Sequence, residues 1–141
     1  MKLYSTLSRE KETVSATNGE VKMYVCGVTP YAPSHVGHAM SYVIFDVLKR
    51  YLEFKDIKVT HIQNFTDIED KLIKESTNLG ISVKQLSEKY IDDYFDVMDS
   101  LNIKRANAYP KASEEIPTII EIITNLINKD VAYPSGGDVY F

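Results

Sequence analysis

The sequence holds one cysteine in 141 residues, which excludes an intramolecular disulfide framework. No apolar run is long enough to span a bilayer, and the opening Met1-Lys2-Leu3-Tyr4-Ser5-Thr6 is too polar for a secretory signal, so a cytoplasmic location is expected. Positive charge is in deficit: 16 Lys and Arg stand against 20 Asp and Glu, a formal net charge of −4. That balance lacks the basic footprint of a surface that tracks nucleic-acid phosphates, so an RNA partner would dock elsewhere. Internal repeats and low-complexity tracts are absent too. What is present is globular composition, 44% hydrophobic, at a length that suits one core and one α/β-sized unit.

Residues Val21–Cys26 form a short β-prone apolar run ending at Gly27, Pro30 and Pro33, which predicts a strand feeding a tight loop. From His35 to Phe54 the pattern turns helical. Asp46, Lys49, Arg50 and Glu53 make a charged stripe and apolar residues cover most of the remaining circumference, so this helix is expected to pack broadly against a sheet. Lys58–Asn64 reads as a second strand, and strand, helix, strand predicts a right-handed parallel crossover. Thr66 and Glu69 suggest a capping box opening a further helix that ends near Gly80. Ser82 and Gln85 suggest another, followed by Leu86, Tyr90, Tyr94, Met98 and Leu101 at helical spacing. Ser113 is expected to cap a third pattern carrying Ile116, Ile119, Ile120, Ile123 and Ile127, with Pro117 in its first turn. Ala132–Phe141 reads as a hairpin turning at Ser135-Gly136-Gly137-Asp138. With three residues after that turn, the sequence is expected to be a fragment, a truncated form or one part of a split gene.

Chemistry concentrates in Cys26-Gly27-Val28-Thr29-Pro30-Tyr31-Ala32-Pro33-Ser34-His35-Val36-Gly37-His38, between the first strand's carboxyl end and the long helix. Open α/β sheets bind ligands in that crevice. His35 and His38 are close enough at a helix start to share one face, and Gly37 is expected to leave room for a flat ligand against the backbone. Helix N-termini favour anions, and two imidazoles there can donate hydrogen bonds to a phosphate as charge develops. Taken alone, the histidines fit helix caps or zinc ligands as well, and a lone cysteine usually behaves as a small buried hydrophobe.

Further segments narrow this. Met23-Tyr24-Val25-Cys26-Gly27, then Phe45-Asp46-Val47, then Gln63-Asn64-Phe65-Thr66-Asp67-Ile68-Glu69-Asp70-Lys71 together resemble the cysteinyl-tRNA synthetases, a family of class I aminoacyl-tRNA synthetases. The resemblance runs from about Leu3 to Gly137-Asp138-Val139-Tyr140-Phe141. It implies an α/β, Rossmann-like parallel-sheet nucleotide-binding fold, incomplete at its C-terminus. Residues 1–141 would be the N-terminal part of the catalytic domain, with about 113–141 leading into an inserted connective segment. The implied activity is that of a cysteine-tRNA ligase, which activates L-cysteine with ATP to cysteinyl-adenylate and transfers it to tRNA(Cys).

Residue by residue, His35-Val36-Gly37-His38 matches the HIGH signature with Val in second place, implying that His35 and His38 stabilise the adenylation transition state. Cys26 matches a zinc ligand of the family, whose metal takes the substrate thiolate; zinc prefers sulfur to a hydroxyl, and such a site needs three protein ligands and one open position. The same resemblance puts Gly27, Val28, Thr29, Gly37, Ser41, Asn64, Phe65 and Thr66 around ATP or the adenylate. Capping accounts for Thr66, core packing for Phe65 and solvation for Ser41 almost as well. Tyr31 and Asp67 are further lining candidates, His61 is expected to be structural or at the surface, and capping explains Asp67, Glu69 and Asp70 without a metal.

The partners implied are L-cysteine, Mg-ATP and tRNA(Cys), with one Zn2+ per complete enzyme, acting as a monomer away from membranes. A second cysteine, the lysine-rich KMSKS loop and the tRNA-binding region of the family are all missing from these residues. The 141 residues alone are therefore expected neither to charge tRNA nor to hold zinc firmly. Two other readings stay open. A mycothiol-type ligase would join cysteine to an amino-sugar; its loop resembles Thr29-Pro30-Tyr31 and Gly37-His38-Ala39, whereas Asp70-Lys71-Leu72-Ile73-Lys74 looks more like the synthetase. A non-catalytic fragment would only bind nucleotide or a partner protein.

Overall fold

The computed structural model describes residues Met1–Phe141. An exposed hairpin comes first, with β1 (Lys2–Ser5) antiparallel to β2 (Glu10–Thr13). Its polar residues carry no alternation that would mark strands in the sequence. β3 (Glu20–Val25) leads through the Cys26 loop into α1 (Val36–Phe54) and on to β4 (Lys58–Gln63). The two strands pair in parallel, Glu20 beside Lys58 and Val25 beside Gln63, as strand, helix, strand requires. Beyond them lie α2 (Asp70–Leu79), α3 (Val83–Ser100), α4 (Ile116–Asn128) and a hairpin of β5 (Tyr133–Ser135) with β6 (Asp138–Tyr140).

A feature the sequence hides is that Asn107–Ala112 runs along the other edge of β4. Gln63 N–H donates to Ala108 O at 3.1 Å, Phe65 N–H to Pro110 O at 2.9 Å and Ala112 N–H to Phe65 O at 3.0 Å. Pro110 interrupts any strand pattern there, so β4 lies in the middle of the pairing although only one neighbour is a regular strand.

Helix ends follow the sequence in part. Ser82 and Gln85 form the expected reciprocal cap, and Gly80 closes α2 in the left-handed conformation with φ 66°. Thr66 does not cap α2. Its N–H donates to Val28 O at 3.0 Å and its hydroxyl accepts from Asn64, so the helix starts later, with the Glu69 carboxylate accepting Lys71 N–H at 2.9 Å. Ser113 does not cap α4 either, because its N–H and hydroxyl both donate to Asp67; the N-cap is Glu115, with no side-chain bond.

α1 packs against β4 as expected, in an orientation that its pattern did not specify. Its charged stripe faces inward and much of its apolar surface faces out. Lys49 is 6% exposed and donates to Arg105 O at 2.9 Å, Asp46 accepts Lys104 N–H at 2.9 Å, and Glu53 pairs with Lys104 at 2.6 Å. Ile44, Val47 and Phe54 are 59%, 59% and 80% exposed. The segment after α3 supplies carbonyls and charges at a spacing that matches the stripe, so the polar face finds partners inside and periodicity alone cannot say which face is buried. The core is Val25, Val28, Tyr42, Phe65, Ile91, Tyr94 and Met98, with Phe65 edge-on to Tyr94 at 5.4 Å between centroids. No helix is long and apolar enough to cross a membrane.

Candidate active site

The carboxyl ends of β3 and β4 are locked together where the residues expected to form the site begin. Gly27 N–H donates to Asn64 Oδ1 at 2.9 Å, and a Cβ on Gly27 would lie 1.4 Å from the Asn64 main-chain oxygen, so only glycine fits. Asn64 Nδ2 reaches Thr66 Oγ1 at 3.4 Å. Gly27, Asn64 and Thr66 are thus joined in one junction. Val28 and Phe65 point their side chains into the core, at 6% and 1% exposure, which leaves only their main chains to face a ligand. Thr29 is half-buried and Ser41 exposed, one turn beyond His38 on α1.

At the start of α1 the two histidines cap the helix and each other. His35 Nδ1 accepts Gly37 N–H at 3.1 Å, His38 Nδ1 accepts His35 N–H at 3.4 Å, and the rings stack 3.8 Å apart and 14° from parallel. A nitrogen that accepts carries no proton, so each neutral ring holds its proton on Nε2. Neither Nε2 is engaged within the chain, which leaves two parallel N–H donors at a helix N-terminus. Burial, and secondarily the neighbouring His35, hold the pKa of His38 below its ordinary value and favour the neutral donor form. The space beside Gly37 is taken by the His35 ring, whose Cε1 would be 3.0 Å from a Cβ there, so that glycine accommodates the ring and not a flat ligand.

Cys26 is exposed, and its thiol donates one weak hydrogen bond, to Gly27 O at 3.8 Å. No group of three or more His, Cys, Asp or Glu side chains converges anywhere in the chain, so these residues alone do not fit a zinc site. Tyr31 is 38% exposed and lies under the Lys71 ammonium at 5.7 Å. Asp67 is buried and bound to Ser113; with Lys84, Glu88 and Lys111 it lines a polar cavity of about 410 Å3 that includes none of Cys26, His35 and His38. Glu69 caps α2 and Asp70 lies in its first turn, as a capping role requires. His61 is not at the surface: it is 5% exposed on the inner face of β4.

Sequence reading missed two residues that hold the loop. Tyr42 Oη donates to Cys26 O at 3.2 Å, and burial foremost pushes its pKa well above the usual range, so it stays a donor. Asp93 on α3 accepts Ser34 N–H at 3.0 Å and so anchors the residue before His35. Tyr42 follows His38 by one helical turn, which is a usable signal; Asp93, 59 residues from Ser34, gives none.

Parallel strands whose carboxyl ends meet the start of a helix make an α/β fold of the nucleotide-binding type, and solved structures share it. The chain matches Mycobacterium tuberculosis methionyl-tRNA synthetase in complex with methionyl-adenylate at a TM-score of 0.74 and 17% identity, over 81% of this chain and 23% of that one. A second structure of the M. tuberculosis enzyme, bound by methionyl-adenylate, matches at 0.72 and 18%, over 79% and 22%. At such identity the likeness concerns the fold. The family described as tRNA synthetases class I (C) catalytic domain matches residues 12–141, and the chain belongs to it. Similar proteins include the cysteine-tRNA ligase of Dehalococcoides mccartyi, 50% identical over 99% of this chain, and that of Archaeoglobus fulgidus, 48% identical over 100%. The cysteine-tRNA ligase of Lactococcus lactis subsp. cremoris is 50% identical over 100% of this chain. The chain spans about 31% of the length of the first two and 32% of the third.

Proposed function

We propose that this chain supplies the histidine-bearing part of a cysteine-tRNA ligase, with L-cysteine, Mg-ATP and tRNA(Cys) as substrates. The observation that carries the reading is the pair of unengaged Nε2–H donors at the N-terminus of α1, beside the carboxyl ends of parallel strands, in a class I (C) catalytic domain. In adenylation the cysteine carboxylate attacks the α-phosphorus of ATP, a new phosphorus–oxygen bond forms and pyrophosphate leaves. Negative charge shifts onto phosphate oxygens as this happens. His35 and His38 donate to those oxygens from positions already fixed by their Nδ1 bonds, so little reorganisation is needed. Gly27, Val28, Thr29, Asn64 and Thr66 present the main-chain edge against which the adenylate lies, Ser41 borders it from α1, and Phe65 and Gly37 act by shaping that edge and the histidine pair. Cys26 offers one exposed thiol toward a zinc ion, and no group of side chains in this chain supplies the further ligands.

The test is a chimera in which this chain replaces the matching segment of the D. mccartyi ligase, assayed for cysteine-dependent exchange of pyrophosphate into ATP. Exchange is expected, with a fall of roughly 10²–10³-fold in His35→Ala or His38→Ala, the scale for losing one fixed donor, and a smaller change in ATP affinity. Exchange that survives both substitutions, or falls only in step with ATP binding, overturns the reading. Charging of tRNA against an amino-sugar acceptor then separates the two kinds of ligase.

A further inference from the structure

His61 presents an unmet polar group in the core. Neither of its ring nitrogens has a hydrogen-bonding partner in the chain, and the residue is 5% exposed. The residue's main chain is fixed at one edge of β4, where its N–H donates to Asn107 Oδ1 at 2.8 Å and its carbonyl accepts Asn107 N–H at 2.7 Å. A neutral imidazole carries one donor and one acceptor, and burying either without a partner forfeits its hydration with nothing in exchange. Nearly all buried side-chain polar atoms have partners for that reason.

His61 also lines a small cavity, together with Asp46 of α1, Gln63 of β4, Tyr94 of α3 and Tyr109 of the edge segment. About 10 Å3 of it is open to the centre of a water-sized sphere. A single water needs roughly 10–15 Å3 by that measure, together with two to four polar partners. The partners are there. Tyr94 Oη receives Gln63 Nε2–H at 2.6 Å, and its own O–H has no acceptor within the chain. Asp46 brings a carboxylate and His61 its two nitrogens. The space is too small for an organic ligand, and no cluster of metal-binding side chains converges there.

We infer that this cavity is a binding site for one buried water, which bonds to a His61 ring nitrogen and accepts a hydrogen bond from the Tyr94 hydroxyl. The water ties β4 to α3, with α1 as its third wall, behind the junction that positions Gly27 and Asn64. The inference is independent of the proposed activity.

A crystal structure of the 141-residue chain that resolves ordered solvent tests it directly. The expected result is one solvent peak in the cavity within hydrogen-bond distance of His61 Nδ1 or Nε2. An empty cavity, or a His61 ring turned to bond a protein group, overturns the inference. Tyr94→Phe removes one of the water's two partners, so the solvent peak of the folded variant should weaken or shift away from residue 94; a peak unchanged in height and position would likewise overturn the inference.

Discussion

The stretch from β3 to Ala112 and the stretch from α4 to Phe141 use apolar sequence in opposite ways. α4 is the more apolar helix when set beside α1, yet none of its residues is buried, and Ile119, Ile120 and Ile122 are 41%, 58% and 52% exposed. After Ala112 only Ala132, at 7% exposure, is buried. The β3 to Ala112 stretch buries aromatic and charged side chains together: Phe65 and Tyr94 on one hand, Lys49, Gln63 and Asp67 on the other. The difference teaches that burial here follows available partners and not apolar content. Lys49 is inside because Arg105 O meets it; the isoleucines of α4 are largely outside because no other element packs closely on that helix.

Substitutions that break this contrast range from severe to nearly silent. Gly27→Ala places a methyl group 1.4 Å from the Asn64 main-chain oxygen and is expected to prevent native folding of the stretch from β3 to Ala112; circular dichroism and urea unfolding would report it, and a native-like melt would contradict the junction described. Phe65→Ala should cost about 3–5 kcal/mol in urea unfolding, whereas Ile120→Ala should stay within about 0.5 kcal/mol. Similar losses at both sites would erase the distinction between the two stretches.

Acid acts on one stretch only. Burial first and Lys49 second, opposed in part by Asp46, hold the His61 pKa below 6.5. The unfolded chain therefore binds the proton more readily than the folded one, and stability falls as pH drops below about 6.5, levelling off below the folded-state value. His61→Phe should flatten much of that slope in urea unfolding followed against pH, leaving the part due to His38, which shifts in the same direction. A slope that is unchanged in the variant would assign it to other groups.

Smaller again is the cap. Ser82→Ala should cost about 1 kcal/mol because it removes the acceptor for Gln85 N–H, and a loss below a few tenths would mean the cap does little in the folded chain. Least of all, removing residues 116–141 should leave the urea midpoint of the remainder almost unmoved, since α4 and the last hairpin bury nothing in it beyond Ala132. A large shift would show that the two stretches support one another.

Much of this was readable in advance, because local chemistry fixed it. Val21–Cys26 is a β-prone apolar run and Lys58–Asn64 reads as a second strand, Ser82 and Gln85 sit at capping distance, Gly80 and Gly136-Gly137 mark turns, and the spacing of His35 and His38 brings their rings to one helix end. Those features depend on neighbours within a few residues. The errors share the opposite origin. Thr66 and Ser113 have good capping chemistry, but Asn64 and Asp67 compete for their hydroxyls, and such competition is invisible until the chain has folded.

The sequence by itself determined the strand, loop, helix, strand order, the two histidines at a helix start and the family pattern around Cys26, since each rests on short-range periodicity and residue type. Only the tertiary structure decided which face of α1 is buried, that Asp93 and Tyr42 hold the Cys26–His35 loop, that Asn107–Ala112 completes the pairing of β4, and that His61 lies inside beside a water-sized space. Each of those depends on groups 16 to 59 residues apart meeting in space, and no local pattern encodes such a meeting.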